Sequence, residues 1–270
     1  MKITFLGGGN MANALIGGML KQGFAAADIT VIDPGSAARD KLAATYAVDC
    51  LETAEMLADA GDLLVLAVKP QQMKEAVAPL VGKLGDALVV SIAAGLDLAT
   101  LARFLGGHRK IVRCMPNTPA LIGAGITGLC PLPEVGAAER AAAERVLSAV
   151  GSTVWVADEG KMDGVTALSG SGPAYVFLFI EALQQAAGDL GFTPEQGRQL
   201  AIETVQGAAA LAAQSPEPAA VLRERVTSKG GTTEAALRTM AEKGVKEGIV
   251  AGVMAAEARG RELGKLLGAG

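Results

Sequence analysis

Ile3-Thr4-Phe5-Leu6-Gly7-Gly8-Gly9-Asn10-Met11-Ala12 decides the fold: a β-branched and aromatic run stops at three glycines, and a helical stretch follows at once. The pattern is G-x-G-x-x-A, read on Gly7, Gly9 and Ala12. In a strand–turn–helix unit each position has its own task. Gly7 permits the tight turn, Gly9 lets a pyrophosphate approach the backbone, and Ala12 lets helix and strand pack closely. The anion rests on the helix N-terminus, where unpaired N–H groups and the dipole favour negative charge. Taken alone, the glycines also fit a merely structural turn. Their place in the first unit of an alternating region is what favours a dinucleotide.

Outward from that stretch, residues 1 to about 157 alternate short apolar runs with helical segments. ITFLG, ITVID, DLLVLAV, ALVVSIA, KIVRC, GITGL and STVWVA read as strands, and residues 10–22, 36–45, 71–81 and 134–150 as helices. That alternation predicts βαβ units and a Rossmann-type, doubly wound, mostly parallel sheet. The unbroken apolar run in DLLVLAV fits a central strand covered on both faces. Past Trp155 the strand signals vanish. Segments 161–190, 194–213, 217–226, 232–242 and 245–267 carry apolar residues at three- and four-residue intervals, so an all-α half is expected. Thr193-Pro194-Glu195-Gln196 is a helix start, with Thr as cap and Gln closing a capping box. The expected domains are 1–157, binding a dinucleotide, and 158–270, helical.

Composition excludes several classes. Among 270 residues, 50% are hydrophobic but only 3% aromatic, so the core is expected from small and aliphatic residues. A net charge of −4 with no basic run gives no footprint for nucleic acid or an anionic membrane, and neither partner is expected. No apolar run is read as reaching the roughly 18 residues of a membrane span. The N-terminal stretch carries Lys2 and apolar residues as a signal peptide does, but the three glycines break its apolar region. Cys50, Cys114 and Cys130 are odd in number and scattered, which argues against disulfides or a zinc site and fits a cytoplasmic protein. No metal is expected.

Further strand ends converge on the glycine edge. The second strand ends at Asp33, where such a fold meets the adenine ribose; an acid there accepts from the 2′-hydroxyl and disfavours a 2′-phosphate. Ser36 and Arg39 follow and offer a phosphate a hold, so the choice between NADH and NADPH stays open. Ala67-Val68-Lys69-Pro70 and Ser91-Ile92-Ala93-Ala94-Gly95 close two more strands, and ligands bind beyond such carboxyl ends. Read without these neighbours, Lys69 is an ordinary solvated lysine. In Met115-Pro116-Asn117-Thr118-Pro119 two prolines stiffen a loop that presents Asn117, which is counted with the cofactor residues.

Acid–base groups are scarce. His108, the single histidine, lies in a glycine turn and reads as an exposed loop residue; Tyr46 and Tyr175 are the two tyrosines, and neither has a Lys four residues on. A carbonyl reductase needs a proton donor for its developing alkoxide. A protonated imine does not, because hydride addition neutralises its charge. Such a site needs mainly positioning. The stretch Val226-Thr227-Ser228-Lys229-Gly230-Gly231-Thr232-Thr233-Glu234 offers it: a glycine loop feeding a helix start, with the hydroxyls of Ser228, Thr232 and Thr233 and free N–H groups as a cradle for a carboxylate. An interhelical turn with threonine caps fits the same residues. A second glycine knot, Thr166 to Tyr175, reads first as helix packing, with Thr166 and Ser171 available as site lining.

The motifs Gly7 to Met11, Ala67 to Pro70, Ser91 to Gly95, Met115 to Ala120, Leu168 to Tyr175 and Thr227 to Thr233 together closely resemble those of pyrroline-5-carboxylate reductase, from the first strand to the last helices. The resemblance implies reduction of 1-pyrroline-5-carboxylate to L-proline, with NADPH as cofactor and NADH possible. It implies that Leu6, Gly7, Gly8, Gly9, Asn10, Met11, Ala67, Val68, Lys69, Pro70, Ala93, Ala94 and Gly95 hold the cofactor, with Pro34 and Ser36 near its ribose. It also implies that Ser228, Gly230, Gly231, Thr232 and Thr233 take the substrate carboxylate and Thr233 its nitrogen, with Glu159 and Arg225 as further substrate residues. A homodimer or larger homo-oligomer built through the C-terminal helices is implied, the site being shared between subunits. Two departures stand out: Lys229 replaces a proline common in that loop, and Asp33 stands where phosphate-binding relatives carry small polar residues. Two other readings compete, a β-hydroxyacid dehydrogenase and a non-catalytic dinucleotide sensor. The first wants a lysine that Gly170 to Tyr175 does not supply.

Overall fold

Short aliphatic runs make the middle of one sheet. In the computed structural model, which describes residues 1–268, β1 (Ile3–Leu6), β4 (Leu63–Leu66) and β5 (Leu88–Ser91) are buried along their whole length. Side chains on both pleat faces are apolar because helices cover both. Around them lie β2 (Ile29–Ile32), β3 (Asp49–Leu51), β6 (Ile111–Met115), β7 (Gly125–Pro131) and β8 (Gly151–Trp155). The order is β3-β2-β1-β4-β5-β6-β7-β8. Every neighbouring pair is parallel except β6 with β7. The strand order reverses between β1 and β4, so a crevice opens beyond their carboxyl ends.

The helices of this half are α1 (Asn10–Lys21), α2 (Ser36–Tyr46), α3 (Met73–Val77), α4 (Leu98–Phe104) and α5 (Ala137–Leu147). Three details depart from the sequence reading. β3 and α4 were not anticipated, and the expected helix at 71–81 is a five-residue helix between two tight turns that open at or contain Pro70 and Pro79. Proline lacks the N–H that a continuous helix needs at those positions.

The chain then runs through α6 (Met162–Val165), a π-turn at Thr166–Gly170, α7 (Gly172–Asp189), α8 (Pro194–Gln214), α9 (Ala219–Arg225), α10 (Thr232–Glu242) and α11 (Val245–Gly268). The compact units divide later than residue 157: the first holds Met1–Ser171 and the stretch from Ala256 on, the second Gly172–Ala255. Ion pairs hold residues past 157 to the sheet, since the buried Arg113 of β6 reaches Glu159 at 3.1 Å and Asp163 at 3.3 Å.

The late part of α11 belongs to the sheet unit through a stripe of glycines. A methyl added at Gly260, Gly264 or Gly268 would meet Asp163 Cβ at 3.6 Å, Gly95 O at 3.3 Å and Thr100 Oγ1 at 3.1 Å respectively. Arg103 Nη2 donates to Gly268 O at 2.7 Å, and Leu267 packs on the core.

Within the second unit α7 and α8 pack against each other through small residues, with Gly197 facing Ala187. The capping box is present, Thr193 accepting from Gln196 N and Gln196 accepting from Thr193 N. Large apolar side chains stay exposed, among them Phe177, Leu178, Phe179 and Leu200. One expectation needs correcting: the continuous run Glu159–Asp189, 31 residues, contains an 18-residue window with a mean hydropathy of 1.2, long and apolar enough to cross a membrane by length and composition only.

Candidate active site: a dinucleotide crevice and a carboxylate loop

The glycine turn between β1 and α1 is shaped by close approach. Gly7 sits at φ 103°, and a Cβ there would lie 2.7 Å from Ala67 O. Only glycine meets both demands. Its N–H donates to Ile32 O at 2.8 Å, while Ala67 N donates to Leu6 O at 2.8 Å, so the ends of β1, β2 and β4 are tied together. Gly9 faces open space, since a methyl added there would meet nothing within 4 Å, and as N-cap of α1 it brings no side chain to the first N–H groups. Those donors remain available to an anion. Beyond them lies a cavity of about 580 Å³ whose wall includes Leu6, Gly7, Gly9, Asp33, Pro34 and Lys69. The uncapped helix start and the open face at Gly9 fit a pyrophosphate.

Asp33 continues from β2 and folds back on that turn. Its Oδ2 accepts from Gly8 N at 2.7 Å and its Oδ1 from Gly35 N at 2.8 Å. Arg39 is held to the backbone behind it: Nη1 donates to Asp33 O at 2.7 Å and to Pro34 O at 2.8 Å, and Nη2 lies 3.7 Å from Glu52. Ser36 opens α2 and is exposed. The loop carrying Glu55 is pinned from the far side, where Lys83 Nζ donates to the carbonyls of Glu55 and Leu57.

The structure brings Leu6, Gly7, Gly9, Pro34, Ala67, Val68 and Lys69 around one cavity. Asn10 opens α1, exposed, and Met11 packs on the core beside it. Ala93, Ala94 and Gly95 follow β5, with Ala93 buried and Gly95 against Leu267. Three further residues are engaged internally. Asn117, 9% exposed, donates from Nδ2 to Ser169 O at 3.2 Å and accepts at Oδ1 from Ile126 N at 2.9 Å, so it brackets the end of β6, the start of β7 and the π-turn. Glu159 Oε1 accepts from Leu98 N at 2.7 Å and from Arg113. Thr166 Oγ1 donates to Met162 O at 2.9 Å. For these three the structure displays a bracing role: their polar atoms hold backbone or a buried cation.

In the second unit, Ser228, Gly230, Gly231, Thr232 and Thr233 form one loop and helix start. Gly231 is the N-cap of α10 and supplies no side-chain acceptor. Gly230, at φ 72°, donates its N–H to Glu234 Oε2 at 2.6 Å. A carboxylate of this chain thus already engages a loop amide. Thr227 spends its hydroxyl on Arg223 O, leaving Ser228 and Thr232 exposed and Thr233 half-buried. Arg225 is paired with Glu217.

His108 is half-buried rather than exposed, with Nε2 2.8 Å from Ala87 O, and braces the strand edge. Sequence reasoning missed Arg113, Glu52 and Glu234. Arg113 inside an apolar strand, IVRCM, is a signal that a buried counter-charge must exist; its partners lie 46 and 50 residues away and carry no local mark. Among the described residues no group of three or more His, Cys, Asp or Glu is placed to hold a metal ion.

Comparison with known proteins gives five matches. Residues 159–263 match the family model described as pyrroline-5-carboxylate reductase dimerisation, and residues 2–95 match that of NADP oxidoreductase, coenzyme F420-dependent. The chain is 46% identical over 271 residues to the pyrroline-5-carboxylate reductase of Pseudomonas aeruginosa, covering 99% of this chain and 98% of that protein. It superposes on the pyrroline-5-carboxylate reductase structure from Coxiella burnetii with a TM-score of 0.92 at 38% identity, covering 97% and 98% of the two chains. The Plasmodium falciparum pyrroline carboxylate reductase, solved with NADP bound, gives a TM-score of 0.87 at 29% identity and 98% coverage of each chain.

Proposed function

The chain belongs to the pyrroline-5-carboxylate reductase family, and from that premise we propose that the loop Ser228–Thr233 receives the substrate while the crevice beyond β1, β2 and β4 receives the cofactor. The enzyme reduces 1-pyrroline-5-carboxylate to L-proline by hydride transfer from NADPH or NADH, the last step of proline biosynthesis. The dehydrogenase and sensor readings are not favoured, because the full-length relatives are reductases of this one kind.

The cofactor, when bound, supplies the hydride. This chain's residues do the rest. Leu6 to Met11 and Ala67 to Pro70 hold the dinucleotide, its pyrophosphate on the uncapped start of α1 and its adenosine end by Asp33 and Pro34. The substrate carboxylate meets the N–H groups of the α10 start, joined by Ser228 and Thr232. Thr233 faces the ring nitrogen, which carries its proton before reaction. Hydride addition at the C=N carbon then turns iminium into amine with no oxyanion to stabilise, so positioning dominates the rate. Asn117, Glu159 and Thr166 support the site by bracing it, and Arg225 by holding the chain before the loop. The exposed apolar helices pair with a second copy, giving a homo-oligomer, and the free thiols suit the cytoplasm.

A single observation carries the substrate assignment: a carboxylate, that of Glu234, already sits on Gly230 N–H at the mouth of an uncapped helix. Thr233→Ala is expected to lower pyrroline-5-carboxylate-dependent NADPH oxidation by about tenfold or more, while NADPH binding followed by fluorescence stays near that of the parent. Undiminished turnover in the variant removes Thr233 from the reaction.

A further inference from the structure

We propose that Asp33, with Glu52 beside Arg39, sets the cofactor preference of this chain towards NADH and against NADPH. The inference rests on the reductase reading only for the identity of the bound dinucleotide. At the end of the second strand of a dinucleotide fold, an acid accepts the adenine ribose hydroxyl while a nearby arginine receives a 2′-phosphate. Both residue types are present here, and their hydrogen bonds separate their roles.

Asp33 is fixed facing the glycine turn by two backbone donors, Gly8 N at 2.7 Å and Gly35 N at 2.8 Å. Each carboxylate oxygen accepts one such bond and retains a lone pair for a ribose hydroxyl. Arg39 Nη1 is bonded to the carbonyls of Asp33 and Pro34, and its Nη2 lies by Glu52, so the guanidinium is held against backbone and a competing carboxylate. Arg39 is not among the residues of the cavity wall, which contributes the acids Asp33, Glu52, Glu55 and Glu75 against the single cation Lys69. Ser36 offers a hydroxyl and no charge. A 2′-phosphate, carrying close to two negative charges, enters a wall already negative, whereas a 2′-hydroxyl meets an acceptor at hydrogen-bond range. Repulsion between like charges a few ångströms apart near a protein surface is worth tenfold or more in affinity.

The test is equilibrium titration of the full chain with NADH and with NADPH, read by nicotinamide fluorescence, alongside kcat/KM for each with pyrroline-5-carboxylate. The parent is expected to bind NADH about tenfold or more tightly than NADPH, and kcat/KM to follow. Equal affinities, or tighter NADPH, overturn the proposal. Asp33→Ser is expected to shift the NADPH-to-NADH affinity ratio by about tenfold or more towards NADPH; because it also uncaps Gly8 and Gly35, the ratio rather than either affinity is read. Should that variant unfold, Glu52→Gln, which removes a charge from the wall and releases Arg39, is expected to move the ratio the same way by several-fold; no movement overturns the role of Glu52 in the proposal. Binding is read without substrate. Absent turnover with tight NADH binding therefore strikes at the reductase reading and leaves the preference standing.

Discussion

Cys114 shows what burial does to one titratable atom. It lies in β6, 1% exposed, and loss of hydration pushes its thiol well above the ordinary value, with the nearby Cys130 adding to the rise. An unfolded thiol ionises from about pH 8.5. Above that pH the unfolded chain holds fewer protons than the folded one, so stability is full below it and declines as pH rises towards the folded value. Urea midpoints taken near neutrality and again above about pH 9 should fall, and fall less in Cys114→Ala; the same slope in both proteins would clear Cys114 of the effect. At this scale the sequence was legible where a residue acts on its own neighbours. Gly7, Gly9 and Asp33 stand in a local pattern with one geometric solution. Asn117 was not legible, because Ser169 and Ile126 reach it through tertiary folding and no property of a Pro-Asn-Thr loop specifies which carbonyl its amide will meet.

Helix α8 is the clearest element-scale case. Its 21 residues start at a box that satisfies two backbone donors with two side chains. Thr193→Ala should cost about 1 kcal/mol, measured as a shift in urea midpoint at constant slope; a variant as stable as its parent would mean that α8 is held by packing alone. The box was readable because its spacing is fixed by one turn of helix. Residues 71–81 misled, since their apolar spacing suits a helix while Pro70 and Pro79 forbid a continuous one. β3 has three residues and pairs with β2 alone, so little periodicity marks it. α4 did carry a signal, for Asp97 caps Thr100 N at 2.7 Å, but seven residues give the helical period too little length to show.

Across the whole chain the two units bury their residues differently. Most core side chains belong to the sheet unit, while the second unit leaves Phe177 64% and Leu178 66% exposed. Contiguous apolar surface of this kind marks an interface, and residues 159–263 match a dimerisation family. Light scattering behind size exclusion should therefore report a dimer or larger, and Phe177→Asp with Leu178→Asp should shift the mass towards one chain and abolish turnover. A monomeric parent would contradict this. The two-part organisation was legible from composition, since strand formers stop near Trp155. The compact sheet unit nevertheless takes in residues past 157, where Arg113 pairs with Glu159 and Asp163 and the glycines of late α11 lie close to Asp163, Gly95 and Thr100.

Those glycines also set an order of events. The stretch from Ala256 is synthesised after the entire helical unit, yet it completes the sheet unit by lying on Gly95 and Thr100. In chain order, then, the whole of Gly172–Ala255 is made before the last helical piece of the sheet unit. No single cut separates the units: a fragment ending at Ser171 lacks the turn that seats on Arg103, and its remainder carries that turn away.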